Sequence, residues 1–468
     1  MKLPRIMITA PASGTGKTLL TCGLLQALEE RKKKVCAFKC GPDYIDPMFH
    51  RQVIGIPSYN LDTFLASEKV VKSLLSEHGK GMDIAVMEGV MGYYDGLGGT
   101  SHEGSSFHVG RVTKTPAILV ITCRGQSLSA AAQVKGFMGF REDSRIRGVI
   151  LNKTGESMFK LLAPAIEREC GIPVIGYLPE LPELNIESRH LGLVLPEEID
   201  GIKAKLHRFA AELEKTVDID KLIEIAERAE DVEEPSDREE PGADGDCPEP
   251  DFEGIRIAVA KDEAFCFIYE DNLEVLRKLG AEILYFSPIH DEVLPQNADG
   301  LLLYGGYPEL HGRALSENQS MLKSIAGAIK SGLPCIAECG GFIYLHREFE
   351  DDKGVLRRGV GVVDGRAFRT ERLTRFGYIN IYSEKDGILS CKHGDKPLRA
   401  HEFHYYDSQS NGDSCTATKP SGTRSWKCIH QEGNLTAGFP HFYYRGSPQV
   451  AVNFLKQCRK EREGLKDA

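Results

Sequence analysis

The stretch RIMITAPASGTGKTLLTCGLLQALEERKK, Arg5 to Lys33, decides the fold. An unbroken apolar run, RIMITA, reads as a buried strand. APASGTGKT, Ala10 to Thr18, then opens a helical pattern. Its glycines let the backbone curl so that N–H groups meet phosphate oxygens, and the helix N-terminus adds partial positive charge. Ser13, Gly14, Thr15 and Gly16 form the cradle, Lys17 reaches the terminal phosphates, and Thr18 ligates Mg²⁺. Pro11 stands where this motif usually has its first glycine.

Working outward, further buried runs begin at Lys34, Asp83, Ala117 and Arg147, separated by amphipathic stretches. This is the pattern of a doubly wound parallel α/β sheet. Glu88 ends DIAVMEG at the carboxyl edge, where such sheets bind ligands, and Asp43 and Asp46 follow the second strand in KCGPDYIDP. Asp95, in GYYDGLGG, is a fourth acid on that edge. Thr18, Asp43 and Glu88 are the expected Mg²⁺ ligands.

Composition shifts after Ile225. Residues 230–251 hold eleven acidic residues and one basic residue, Arg238, with almost no aliphatic side chains. Such a segment buries too little surface to offset its ordering entropy, so residues 227–253 are expected to be a flexible acidic linker between domains 1–226 and 254–468. A second α/β pattern follows, with strands in IRIAVA, AEILYFSP, GLLLYGG and LPCIAECGG.

In the last of these Cys339 stands at a sharp strand-to-helix turn, where a helix N-terminus and an imidazole lower a thiol's pKa. Gly305 and Gly306 end another strand, in a position to aim a backbone N–H at an oxyanion. His441, in AGFPHFYYRG, is the candidate base for the thiol. Tyr443 occupies the place of the usual acid two residues on, so a Cys–His dyad without an acidic orienter is expected. The other cysteines of the 13 read as buried small hydrophobes; no Cys-x-x-Cys pair occurs.

A net charge of −10 without a basic stripe points away from nucleic acid. No apolar run is long enough to span a bilayer, and the first residues lack the apolar core of a signal peptide, so cytoplasm is the expected setting. A phosphate site and a thiol acyl-transfer site in one chain imply a coupled reaction: one half frees ammonia from glutamine, and the other activates a carboxylate with ATP.

APASGTGKT, KCGPDYIDPMFH, YNLDTF (Tyr59 to Phe64), MEGVMGYYDG, ESRHLGL (Glu187 to Leu193), YGGYPEL, AECGGFIYL and AHEFHYY (Ala400 to Tyr406) together resemble the cobyrinate a,c-diamide synthase family over nearly the whole chain. The resemblance implies a phosphate-loop ATP domain joined to a class I-like glutamine amidotransferase domain. It implies amidation of the a and c acetates of cobyrinate or a related tetrapyrrole through an acyl phosphate, with ATP and glutamine as co-substrates. In these terms Cys339 is the nucleophile and His441 its activator. Asp43, Asp46, Glu88 and Asp95 line the ATP and carboxylate site, and Asn152 resembles residues that read the base. His401, Glu402 and His404 are expected to face the tetrapyrrole. The same diamidation of hydrogenobyrinate or nickel-sirohydrochlorin, and a non-catalytic phosphate-loop protein, remain the alternatives; homo-oligomer formation is left open.

Overall fold

The computed structural model describes residues 2–181, 188–189, 192–193, 201–232, 252–383, 385–391 and 396–464. They fall into two compact units, Met1–Glu239 and Glu240–Ala468. Among the described residues no helix is long and apolar enough to cross a membrane.

The first unit is built on β1 (Arg5–Thr9), β2 (Val35–Cys40), β3 (Ser58–Leu61), β4 (Ile84–Glu88), β5 (Ala117–Thr122), β6 (Ile146–Asn152) and β7 (Val174–Leu178). All pairings are parallel, in the order β3-β2-β4-β1-β5-β6-β7. Nearly every residue of β1, β2, β4 and β5 is buried, as helices on both faces require. Strands β3 and β7 complete the expected sheet at its two edges. The register sets Lys39 of β2 beside Glu88 of β4, and Glu88 beside Ile8 of β1. Three carboxyl ends therefore meet at one level.

Helix α1 (Lys17–Glu30) follows the phosphate loop. Gly23 lets it approach the Ile202–Thr216 helix closely: a Cβ there would lie 2.3 Å from the Phe209 ring. At the start of β1, Arg5 is wholly buried; its guanidinium donates to the carbonyls of Thr113 (2.8 Å), Leu3 (2.8 Å) and Glu230 (2.5 Å). The two ends of the expected linker are thus tied down. Val232 is buried, and Phe252 packs into the second unit's core with its N–H on Leu279 O at 3.2 Å. The intervening part of the expected linker, 233–251, lies outside the described residues.

In the second unit a six-stranded sheet runs Glu282–Phe286, Arg256–Ala260, Gly300–Leu303, Cys335–Glu338, Leu435–Gly438, His430–Glu432, parallel except for the last strand. An antiparallel five-stranded sheet joins it in the order Ser425–Cys428, Cys415–Thr418, Arg375–Ser383, Leu398–His404, His441–Phe442. A four-stranded sheet completes the unit. The chain leaves the parallel sheet at Gly438 and enters the antiparallel one at His441. That crossing carries His441 towards the Cys335–Glu338 strand. The antiparallel and mixed sheets add to the plain α/β pattern expected for this half.

Candidate functional site

Two sites lie at carboxyl ends of parallel strands, one in each unit. In the first, Gly14 and Gly16 have φ of +73° and +93°, a left-handed backbone that a Cβ resists. Ser13 and Gly14 are exposed at the loop's tip. Asn152, at the end of β6, donates from Nδ2 to the carbonyl of Thr15 at 2.7 Å. Its amide is turned to the loop, which it braces. The position that Pro11 takes is tight in another way: a side chain on Gly92 would lie 2.5 Å from Pro11 O and 2.4 Å from Asp95 Oδ2. Asp95 itself is exposed and accepts from Gly92 N at 3.0 Å.

Lys17 is buried and donates to the carbonyls of Ala12 (3.0 Å) and Met91 (2.6 Å). Burial and the neighbouring Lys39 bring its ammonium down to about 8, against the pull of Glu88, Asp46 and Asp95. Thr18 Oγ1 donates to Glu88 Oε1 at 2.6 Å, and Lys39 Nζ donates to the same oxygen at 2.8 Å. Lys39 is also paired with Asp46. Although burial opposes the charge, Asp46 and Glu88 hold the Lys39 ammonium well above its usual range. Lys39 in turn keeps Asp46 low in spite of burial. Glu88 is pushed up to about 8, by burial and then by Asp46. Asp43 rises to about 6 for the same two reasons, and its Oδ1 accepts from Ile45 N (2.8 Å) and Asp46 N (3.2 Å), starting the short helix Ile45–Phe49.

The donor set suits a hard divalent cation. Thr18 and Glu88 present oxygens beside the loop, and Glu88 Oε2 makes no hydrogen bond among the described residues. Sequence reading missed Lys39, and His50, whose Nε2 stands 3.8 Å from Glu88 Oε2. The signal for Lys39 was present: a lysine inside the otherwise apolar VCAFKC.

The second site centres on Cys339. It has φ +47° and ψ −101°, a strained turn between the Cys335–Glu338 strand and the Gly340–Leu345 helix, of the kind held at functional sites at about 1–3 kcal/mol. Cys339 N donates to Gly438 O at 2.8 Å. Glycines permit the convergence around it. A Cβ on Gly305 would lie 2.7 Å from His441 Cε1, one on Gly340 would lie 3.0 Å from Gly306 N, and one on Gly341 would lie 2.0 Å from Leu303 O. The structure therefore brings Cys339, Gly305, Gly306 and His441 to one place.

Burial, then Glu309, Glu402 and Glu338, push the Cys339 thiol up. Burial, then His401 and His404, push His441 well down. Both groups are thereby held uncharged at rest. An acid does stand beside His441 after all. It comes from the residue before the nucleophile: Glu338 Oε2 lies 3.6 Å from His441 Nδ1, both side chains buried. Burial raises the Glu338 carboxyl well above its usual range. His401 stacks on His441 with ring centroids 4.8 Å apart. His401, Glu402 and His404, expected to face the tetrapyrrole, are all buried. Of ESRHLGL, Glu187, His190 and Leu191 lie outside the described residues; the backbone pairings Ser188↔Leu193 and Arg189↔Gly192 are seen.

Residues 6–194 match the CobQ/CobB/MinD/ParA nucleotide binding domain, and residues 256–448 match the CobB/CobQ-like glutamine amidotransferase domain. The chain is 36% identical to cobyrinate a,c-diamide synthase of Priestia megaterium, over 99% of both chains. It is 39% identical to the enzyme of that name from Listeria innocua, over 96% of this chain and 98% of that one. With that of Thermoplasma volcanium it shares 36% over 99% and 100%. By its two matched domains and its full-length likeness to these relatives, the chain belongs to the cobyrinate a,c-diamide synthase family.

Proposed function

We propose that this protein amidates the a and c acetate carboxylates of cobyrinate, using ATP and ammonia released from glutamine. The observation that carries the substrate is the full-length likeness to relatives bearing that activity in their names. In the second unit, His441 takes the proton of Cys339 as the thiol attacks the amide carbon of glutamine. Ammonia leaves, and water hydrolyses the thioester. Glu338 holds His441 in orientation, and backbone N–H groups around Gly306 and Gly340 stabilise the oxyanion.

In the first unit the loop from Ser13 to Thr18 cradles ATP, with Lys17 on the transferring phosphate. A substrate carboxylate attacks the γ-phosphorus and displaces ADP, giving an acyl phosphate that ammonia converts to the amide with loss of phosphate. Thr18 and Glu88 would hold Mg²⁺, which would supply neutralisation of the phosphate charge. Lys39, between Asp46 and Glu88, shields the incoming carboxylate from those acids. The cytoplasm, rich in ATP and glutamine, is the setting this chemistry implies. The test is glutamine-dependent ATP hydrolysis with and without cobyrinate, with products read by mass. Two mass decreases of one unit each, from acid to amide, support the reading. Turnover that ignores cobyrinate but responds to hydrogenobyrinate or nickel-sirohydrochlorin moves the substrate to that ring.

A further inference from the structure

His441 stands on a strand of only 2 residues, His441–Phe442. One edge of it pairs with the Leu398–His404 strand, through His401↔His441 and Ala400↔Phe442. It is the last strand of its sheet, so among the described residues no strand lies along its other edge. So short a ladder fixes an imidazole loosely, yet the space around this one is tight. A Cβ on Gly305 would lie 2.7 Å from its Cε1, and the His401 ring is stacked on it at 4.8 Å.

The edge that lacks a strand is taken by a side chain. Asn272, 0% exposed, donates from Nδ2 to Phe442 O at 2.9 Å and accepts at Oδ1 from Tyr444 N at 2.7 Å. A carbonyl only accepts and a backbone N–H only donates, so these two partners fix which way the amide is turned. The amide takes the two groups that one residue of a parallel neighbouring strand would take. Asn272 lies in the first turn of the helix Glu270–Lys278. The residue before it grips the same stretch: Asp271, also buried, accepts from Tyr443 Oη at 2.8 Å. Each of the three residues after His441 is therefore tied to one helical turn.

We propose that Asn272 is the positioning residue of His441, holding the imidazole where it takes the proton of Cys339. The inference rests on the reading of Cys339 and His441 as the glutaminase pair. A side-chain amide supplies one donor and one acceptor at the spacing of a peptide group; a carboxylate lacks the donor, and a leucine of similar size lacks both. Without the amide, a buried carbonyl and a buried N–H beside the base lose their partners, and the stretch shifts to find others. A shift of about 1 Å in a reacting group costs about a hundredfold in rate. Asn272 reaches the base's backbone and not the substrate, so its loss belongs in kcat rather than in KM.

The experiment follows glutamate release against glutamine concentration and pH in two variants of nearly the same size. Asn272→Leu should lower kcat about 10- to 100-fold at every pH, with KM within about threefold of the unaltered enzyme. Asn272→Asp should show the same loss at high pH, where its carboxylate meets the Phe442 carbonyl with no proton to give. As pH falls, protonation of the buried carboxyl restores an O–H donor beside a C=O acceptor. Its kcat, as a ratio to that of the unaltered enzyme, should then recover by about tenfold. A kcat within about threefold of the unaltered value in Asn272→Leu overturns the proposal. So does a loss confined to KM, or an Asn272→Asp ratio that stays low at every pH, the mark of packing alone. The Asn272→Asp arm decides the matter if Asn272→Leu fails to fold, since its protonated form repeats the native hydrogen bonds. Glutamine consumption by Cys339→Ala would instead bring down the glutaminase reading beneath it.

Discussion

The two sites handle charge in opposite ways. In the first unit Lys17 and Lys39 sit among Glu88, Asp46 and Asp95, and Thr18 closes the set. Cations and anions answer one another before any nucleotide arrives. In the second unit the polar groups around Cys339 are acids and imidazoles: Glu338, Glu402, His401, His404 and His441. A site that will meet a polyanion carries its own positive charges. A site that will meet a neutral amide carries acids and imidazoles instead.

The largest effects divide the two halves cleanly. Lys17→Ala should lower amidation by about a thousandfold or more with glutamine or ammonia alike, because activation of the carboxylate is lost. Cys339→Ala should abolish glutamine use and leave ammonia-driven amidation within about twofold. Steady-state rates with both nitrogen sources check this pair. Ammonia-driven turnover lost in folded Cys339→Ala would break the separation.

A smaller effect concerns Glu338. If it orients His441, Glu338→Gln should lower glutamine-dependent kcat by about 10- to 100-fold and shift its pH profile, with KM and the ammonia rate unchanged. A wild-type pH profile would leave Glu338 as packing.

The pH dependence of ATP use sharpens the contrast further. Lys17 has a folded value near 8, below its usual 10.5. Its charge is therefore lost as pH rises through about 8, and kcat/KM for ATP should then fall about tenfold per pH unit. The stability sign is the reverse: burying the charged form is unfavourable, so Lys17 makes the fold gain stability between about 8 and 10.5. The glutaminase half, assayed alone by glutamate release, should lack this descending limb.

The smallest effect stays inside one unit. Gly23→Ala would press on Phe209 and destabilise the first unit by about 1–3 kcal/mol. Calorimetry should show its transition falling by several degrees while that of the second unit stays in place.

Much of this was legible from residue order. Buried runs such as AILVIT and GLLL announce parallel strands, and Gly-Lys-Thr at a strand end announces the loop. The short edge strand Ser58–Leu61 carries Asn60 and no apolar run, so only its register with β2 reveals it. The antiparallel sheet was hidden because its pairings join separated segments, such as Arg375–Ser383 with Leu398–His404. Cys339 and His441 were readable as types. Glu338 was masked by adjacency: in a strand, neighbours point to opposite faces, and only the strained turn after it puts both acid and thiol beside one imidazole. His401, Glu402 and His404 look from their polarity like surface groups, and only packing shows them enclosed.

Arg5 sets a practical limit on dividing this enzyme. Its guanidinium is desolvated, which brings it down to about 10, and one of its acceptors is the carbonyl of Glu230, 225 residues further on. A nascent chain lacks that acceptor until residue 230 has left the ribosome. An ATP-binding half cut at the end of the Ile219–Glu227 helix would lack it permanently. Anyone wishing to express that half alone should place the stop codon past Val232, where the clasp is complete.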